Sequence, residues 1–317
     1  MYRPNYLCDL HGHTNLSDGN DTYQEFIDTA AALGMKVVAI TDHDVTPLTI
    51  IEVNGKKISP VEYASSKNVH LLLGIEYSCD TYVDDVHIVG LGCDWTDENF
   101  KIEEARMKRS KIEGYKKLTE VLTDNGMHIS WEELLENKGN PRNPEEIQRK
   151  HIFEEIAKKG YSKTWQEAKL MVKNNPIYNV RREKIDPVKA IEVIHNAGGI
   201  AILAHPYLID EVVKKGDKKI TRQEYIAHLL EAGLDGIEAA YTYSKTSYKG
   251  KQTEEQIEKE VRQLYGDSVK IISGGSDYHN DAKKGVKNAR MLGEKGVTWE
   301  YFQGNEYLNR LICIQSL

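Results

Sequence analysis

The chain has 317 residues, room for one large domain or two ordinary ones, and its 40% hydrophobic and 29% charged content is that of a soluble globular protein. Its formal charge of −7 argues against general polyanion binding through a basic surface, so no duplex DNA is expected as partner. No apolar run approaches the roughly 18 residues that span a bilayer. Met1-Tyr2-Arg3-Pro4-Asn5 lacks the apolar core of a signal peptide. Cys8, Cys79, Cys93 and Cys313 show neither zinc nor redox spacing, which suits buried or free thiols in a reducing cytoplasm.

Apolar runs suited to buried parallel strands alternate with amphipathic helices, the βα pattern. A first strand is predicted near 6–11, within Tyr6 to His11. A helix over about 22–33 follows, with Asp21 as N-cap and Gly34 past its end. The second strand, 36–41, leads into Asp42-His43-Asp44. A helix over 60–67 precedes a third strand, 69–75, that delivers Glu76, and a fourth strand, 86–91, carries His87. Residues 98–180 are charged, helical and largely strandless, with Lys and Glu at i, i+4 spacing. They read as an insertion, packed over the barrel mouth or forming a small subdomain. The rhythm resumes at Asp186-Pro187, an N-cap and first turn, in a helix that ends at Gly198-Gly199. Strand five, 200–204, ends in His205-Pro206; strand six, 236–240, follows a helix over 221–232. After a helix over 252–265, strand seven, 269–273, runs into Ser276-Asp277-Tyr278-His279. The expected fold is α/β: a (β/α)7 barrel from 1–97 and 181–290, the helical insertion 98–180, and a closing tail, 291–317.

The chemistry gathers at the strand ends. His11 and His13 stand at i and i+2, the spacing that puts both on one face of a strand, and Asp277 and His279 repeat it. With Asp18, His43, Glu76, His87 and His205 they make six imidazoles and three carboxylates, all but His87 at or just past a predicted strand C-terminus. In a parallel barrel those ends share one face, the face that carries active sites. Nine donors exceed what one or two ions can use but suit three divalent ions of four to six ligands each. Mixed nitrogen and oxygen ligation favours zinc, manganese or iron over calcium or magnesium. Three dications against three carboxylates leave roughly +3 at the mouth, a pocket for a phosphate monoester and for activating a water.

The segments Asp9-Leu10-His11-x-His13-x4-Asp18-Gly19, Thr41-Asp42-His43, Gly74-Ile75-Glu76, His87, Ala204-His205-Pro206 and Ser276-Asp277-x-His279 together resemble the PHP (polymerase and histidinol phosphatase) family over essentially the whole chain. The resemblance implies a distorted (β/α)7 barrel and a trinuclear centre that hydrolyses phosphoesters. It assigns His11, His13 and Asp277 to one ion, with Glu76 bridging to a second that His87 and His205 complete. Asp18, His43 and His279 would hold the third. The nucleophile would be a metal-bridging hydroxide held by Glu76 with Asp277 and His205.

Within the family the chain looks nearest the branch that removes the 3′-phosphate of nucleoside 3′,5′-bisphosphates and trims 5′-ends of short RNA. The carriers are Asp18 and Gln148-Arg149-Lys150-His151, which is similar to that branch's Gly-Arg-Pro-His segment but has Gln and Lys in place of Gly and Pro. Arg149, a bidentate cation, and His151 are the candidates to hold a non-reacting phosphate. Tyr207, after His205-Pro206, joins them as a candidate substrate contact, and it, His151 or a metal-bound water could protonate the leaving group. Cyclic phosphodiester or sugar-phosphate hydrolysis, including histidinol phosphate, is the alternative in the same chemistry, and C–N amide hydrolysis the alternative outside it.

Overall fold

The structure is a computed structural model that describes residues 2–314. It falls into two compact units, Ile102–Lys184 and the remainder of the chain on either side. In chain order the first stretch holds β1 (Cys8–Asp9), α1 (Tyr23–Ala32), β2 (Val37–Ile40), β3 (Ile51–Val53), β4 (Lys56–Ile58), α2 (Pro60–Ser66), β5 (His70–Cys79) and β6 (Val86–Leu91). Then come α3 (Glu98–Asp124), α4 (Trp131–Glu136), α5 (Arg149–Lys158) and α6 (Trp165–Asn174). The return adds α7 (Pro187–Asn196), β7 (Ile200–Leu203), β8 (Val212–Lys215), β9 (Lys218–Thr221), α8 (Arg222–Glu231), β10 (Gly236–Ala240), α9 (Glu254–Tyr265), β11 (Ile271–Gly274), α10 (Trp299–Gly304) and α11 (Glu306–Ile314). The last three residues of the expected tail, 315–317, lie outside the described residues.

Seven strands form one sheet in the order β1-β2-β5-β6-β7-β10-β11. Its ends meet: Leu10 N donates to Gly274 O at 3.2 Å and His13 N to Tyr278 O at 2.8 Å, so the sheet curls into a nearly closed, distorted barrel. β2, β7, β10 and β11 are buried along their whole length, as the unbroken Val/Ile/Ala runs require when both faces are covered. One core joins Cys8, Leu10, Val37, Leu72, Val89, Ile202 and Ile271 to Phe302, Leu308 and Leu311 of α10 and α11. Another sets Phe26, Ile27 and Ala30 of α1 on Val38, Ile40 and Leu71. The second unit has a core of its own, built from Leu118, Leu122, Trp131, Ile152, Ile156 and Val172. No described helix is long and apolar enough to cross a membrane.

Four sequence expectations are corrected. β6 is antiparallel to both β5 and β7, so the barrel is mixed, not all-parallel. β5 continues through Glu76 to Cys79 because Ser78 and Cys79 keep pairing with His87 and Val86 of that antiparallel neighbour. The N-cap of α1 is Thr22, which forms a capping box with Glu25; Asp21 is buried and accepts from Tyr278 and Asn280 instead. Two hairpins, β3–β4 and β8–β9, were not foreseen. The first turns at Asn54-Gly55, a dipeptide that supplies the two positive φ angles of a tight turn, 51° and 74°.

Candidate metal centre

Each donor is placed by the strand it follows. His11 and His13 leave β1 with Gly12 between them, where a Cβ would meet the Phe26 ring at 2.9 Å, so only glycine lets the chain lie that close to α1. His205 follows β7 with φ 29° and Asp277 follows β11 with φ 53°, left-handed conformations that non-glycine residues adopt at a cost. Both turn a side chain back over the barrel mouth. The reversal of β6 explains His87. Its second residue lies beside Ser78, at the end of β5, so a strand start reaches the face that the parallel strands reach with their ends.

Glu76 is the hub. Its Oε1 lies 2.9 Å from His87 Nδ1 and 3.0 Å from His205 Nε2. Its Oε2 lies 3.2 Å from the Nε2 atoms of His11 and His13 and 3.1 Å from His43 Nδ1. Asp277 Oδ1 is 3.0 Å from His13 Nε2 and 3.7 Å from His11 Nε2, and Asp18 Oδ1 is 3.0 Å from His279 Nε2. All nine predicted donors therefore belong to one connected cluster. Three groups within it bring ligand atoms within 4.8 Å of one another: His13-Asp18-His43-His279, His11-His13-Glu76 and His43-Glu76-His87. His13 and His43 each take part in two groups.

The donor atoms fit metal ions better than they fit each other. Among the described residues, His11 Nε2, both nitrogens of His13, His43 Nδ1, Glu76 Oε2 and His205 Nδ1 are buried without a hydrogen bond of proper direction. Orphaned polar atoms cost about 1–3 kcal/mol each, and a cluster of them at one point calls for cations. The charge pattern agrees. Burial opposes ionisation of Glu76, yet the imidazoles of His11, His43 and His87 hold its carboxyl well below the usual range. Burial likewise works against Asp277, which His279 and Arg290 hold low, and against Asp18, which His43 and His279 hold low. Burial pushes His87 down to about 4, whereas the surrounding carboxylates raise His11 and His13.

The side chains behind the donors were not read from the sequence. Glu238 of β10 accepts the His205 N–H at 2.7 Å and lies 3.3 Å from His11 Nδ1. Such a carboxylate fixes the tautomer that leaves His11 Nε2 facing Glu76 and Asp277. Asp277 divides its oxygens: Oδ1 faces the histidines, while Oδ2 accepts from Tyr241 Oη at 2.7 Å and from the Arg290 guanidinium, which also reaches Asp281. Asp9 accepts from Ser276 N and Oγ and from Gly293 N, tying the His11-Gly12-His13 turn to the Asp277 turn. Asp42 does the same for the Asp18 loop, accepting from Thr14 N and Oγ1 and from Ser17 Oγ. Asp9 and Asp42 were visible as carboxylates beside the motifs. For Arg290 and Glu238 nothing local in sequence gives a signal, because only the barrel brings them near.

The proposed substrate contacts divide between the units: Tyr207 belongs to the barrel unit, Arg149 and His151 to the second. Tyr207 is buried, stacked under the Arg222 guanidinium at 3.8 Å, and its phenol pairs with Glu260, which with burial raises its pKa. Its hydroxyl is committed away from the donor cluster. Arg149 and His151 open α5 in the second unit; His151 Nδ1 accepts from Gln148 N at 3.1 Å, closing the helix N-terminus, and Arg149 lies over Phe153.

A mixed α/β barrel with buried imidazoles and carboxylates at one mouth defines a metal-binding hydrolase. The PHP domain profile matches residues 9–314, and the chain belongs to that family, whose members are metal-dependent phosphoesterases. It is 28% identical over 280 residues to a 3′,5′-nucleoside bisphosphate phosphatase of Chromobacterium violaceum, covering 87% of this chain and 88% of that one. It is 27% identical over 301 residues to the 5′-3′ exoribonuclease Rnm of Salmonella typhimurium, 93% of this chain and 94% of that one. A phosphoribosyl 1,2-cyclic phosphate 1,2-diphosphodiesterase of Eggerthella lenta is 25% identical over 277 residues, 86% and 93% of the two chains. Among solved structures, a proposed metal-dependent phosphoesterase of Bifidobacterium adolescentis superposes with a TM-score of 0.67 at 23% identity, over 98% of this chain and 97% of that one. An amidohydrolase of C. violaceum with bound sulfate and no metal gives 0.60 at 26% identity, over 86% and 87%.

Proposed function

We propose that the protein hydrolyses a small, nucleotide-like phosphoester at a centre of three divalent ions, with the 3′-phosphate of a nucleoside 3′,5′-bisphosphate or the 5′-end of short RNA as the leading substrates. The observation that carries this reading is Glu76, whose two oxygens each face a separate set of imidazoles, as a carboxylate shared between ions does. His11, His13, Glu76 and Asp277 would hold one ion, Glu76, His87 and His205 the second, and Asp18, His43 and His279 the third. Manganese, iron and zinc suit this donor set. When bound, such ions polarise phosphoryl oxygens and make a water acidic near neutral pH. The chain's own side chains supply the rest: Glu238 orients His11 and holds the strained His205 backbone, while Tyr241 and Arg290 keep Asp277 ionised and turned inward.

Relatives named as bisphosphate phosphatase and exoribonuclease support a nucleotide-like substrate. The relative named as a cyclic phosphate diphosphodiesterase favours cyclic phosphates as the second reading. The structural neighbour named an amidohydrolase keeps amide hydrolysis as the contrast. Amide hydrolysis uses one or two ions, whereas three match the oxygens of a phosphoryl group.

The test is hydrolysis by manganese-loaded protein, read as phosphate release from adenosine 3′,5′-bisphosphate and histidinol phosphate, as ring opening of a ribose cyclic phosphate, and as mononucleotide release from 5′-phosphorylated RNA. Turnover of the bisphosphate or RNA above the others is expected. Asp18→Ala and His279→Ala should abolish it together with one ion per chain. A fully loaded protein that cleaves no phosphoester, or an amidase activity that survives these two substitutions, overturns the reading.

A further inference from the structure

The hairpin β8–β9 carries four lysines in a chain of net charge −7. Its register sets Lys214 opposite Lys219 and Lys215 opposite Lys218. Like charges directly opposite on neighbouring strands destabilise a hairpin, and here both cross-strand positions nearest the turn repeat the conflict. Several lysines elsewhere in the chain do have such partners: Lys67 with Asp28, Lys189 with Glu192, Lys270 with Asp235 and Lys295 with Glu254. Among the described residues none of the four hairpin ammonium groups has a carboxylate within 4.0 Å, although Glu211 and Asp217 flank them in sequence. All four lysines are exposed, and only Lys215 has a described partner, the Tyr225 ring at 5.6 Å. Lysine on a strand edge also deters strand addition, but that role does not require the charges to face each other.

The hairpin's place gives the charges a use. It grows from the loop after β7, and six residues, Pro206 to Glu211, separate it from His205 in the donor cluster. At roughly 3.3–3.6 Å per residue, Val212 lies within about 25 Å of His205. Arg222 anchors its base, stacked on Tyr207 and donating to Ile209 O at 2.9 Å.

We infer that β8–β9 is an electrostatic arm that holds the internal phosphates of a single-stranded oligonucleotide whose terminal phosphate occupies the donor cluster. This rests on the phosphoesterase reading and narrows it to the oligonucleotide, whose phosphates continue along the strand, whereas the second phosphate of a bisphosphate stays on the same ribose. A flexible single strand suits four exposed point charges, which follow a backbone without base readout. The overall acidity of the chain hides this local patch.

The test is the quadruple variant Lys214→Gln, Lys215→Gln, Lys218→Gln and Lys219→Gln. Removing the facing charges should leave its melting temperature equal or higher, which separates loss of binding from loss of fold. Binding of a 3′-labelled, 5′-phosphorylated phosphorothioate oligoribonucleotide, which resists hydrolysis, to the manganese-loaded protein by fluorescence anisotropy should weaken on the order of tenfold at low salt. The slope of log K against log salt should fall by about 0.7 per lysine that contacts a phosphate. With manganese, KM for the oligonucleotide should rise while KM for adenosine 3′,5′-bisphosphate stays unchanged. An unchanged affinity and slope overturn the arm, as does capture on phosphatidylserine vesicles without RNA binding. Lysine-dependent RNA binding by a protein that hydrolyses no phosphoester upholds the arm while overturning the phosphoesterase reading. Equal KM for RNA in both proteins does the reverse.

Discussion

At the scale of single residues, the cluster depends on side chains that never touch an ion. Asp277 offers Oδ1 inward because Tyr241 and Arg290 occupy Oδ2. Arg290→Met should leave the fold intact and lower metal affinity 10–100-fold, the usual effect of removing a group that orients a ligand, measured by chelator competition. Lys at 290 should recover only part of this, since one ammonium cannot span Asp277 and Asp281 as the guanidinium does. A second buried carboxylate, Asp235, serves stability instead. It accepts from Ala201 N, Lys270 and His195 at the start of β7 and β10. Burial raises its pKa, but Lys270 and the Ala201 N–H outweigh that and hold it below 3.8. A depressed folded-state pKa means the folded form binds fewer protons than the unfolded. The stabilisation is therefore present above pH 3.8 and is lost as pH falls below it. Asp235→Asn should flatten that acid limb in thermal melts and lower the melting temperature by a constant amount above roughly pH 5.

At the scale of elements, the seam between β1 and β11 is where the two H-x-H-like pairs meet. Gly275 packs so close to His11 that a Cβ would lie 2.3 Å from its Cβ and 2.8 Å from its backbone nitrogen. The backbone at that point has no flexible end to give. Gly275→Ala should cost about 1–3 kcal/mol and displace His11, so a fall in melting temperature should come with fewer bound ions. The antiparallel β6 teaches a related lesson about elements. An alternating βα pattern reads as parallel everywhere, and no residue of Val86–Leu91 declares its direction. The short link from Cys79 to Val86 holds no helix, and that absence of a crossover was the available signal.

At the scale of the whole molecule, two compact units divide the chain. The unit from Ile102 to Lys184 buries its own apolar side chains, whereas the donor cluster lies wholly in the barrel unit. Leu122→Ala, at a fully buried site in that second core, should cost about 2–5 kcal/mol and lower the melting temperature. It should leave the number of ions per chain unchanged in the folded protein, which metal analysis checks. Loss of ions in the Leu122→Ala protein would refute that independence.

The sequence by itself located the seven barrel strands, most helices and the nine side chains that the structure gathers into one cluster, because each is written locally. Hydrophobic period gives the element, and a histidine or carboxylate at its end is visible without partners. It also allowed the family resemblance, since the donor segments keep their spacing from Asp9 to His279. Only the tertiary structure decided how those donors share contacts. His13 and His43 each stand between two groups, Glu76 divides its oxygens, and Glu238 and Arg290 enter from segments remote in sequence. The facing lysines of β8–β9 emerge only from strand register. These are distances between separate strands, set by sheet order, strand direction and barrel closure, and such distances follow from packing and not from local composition.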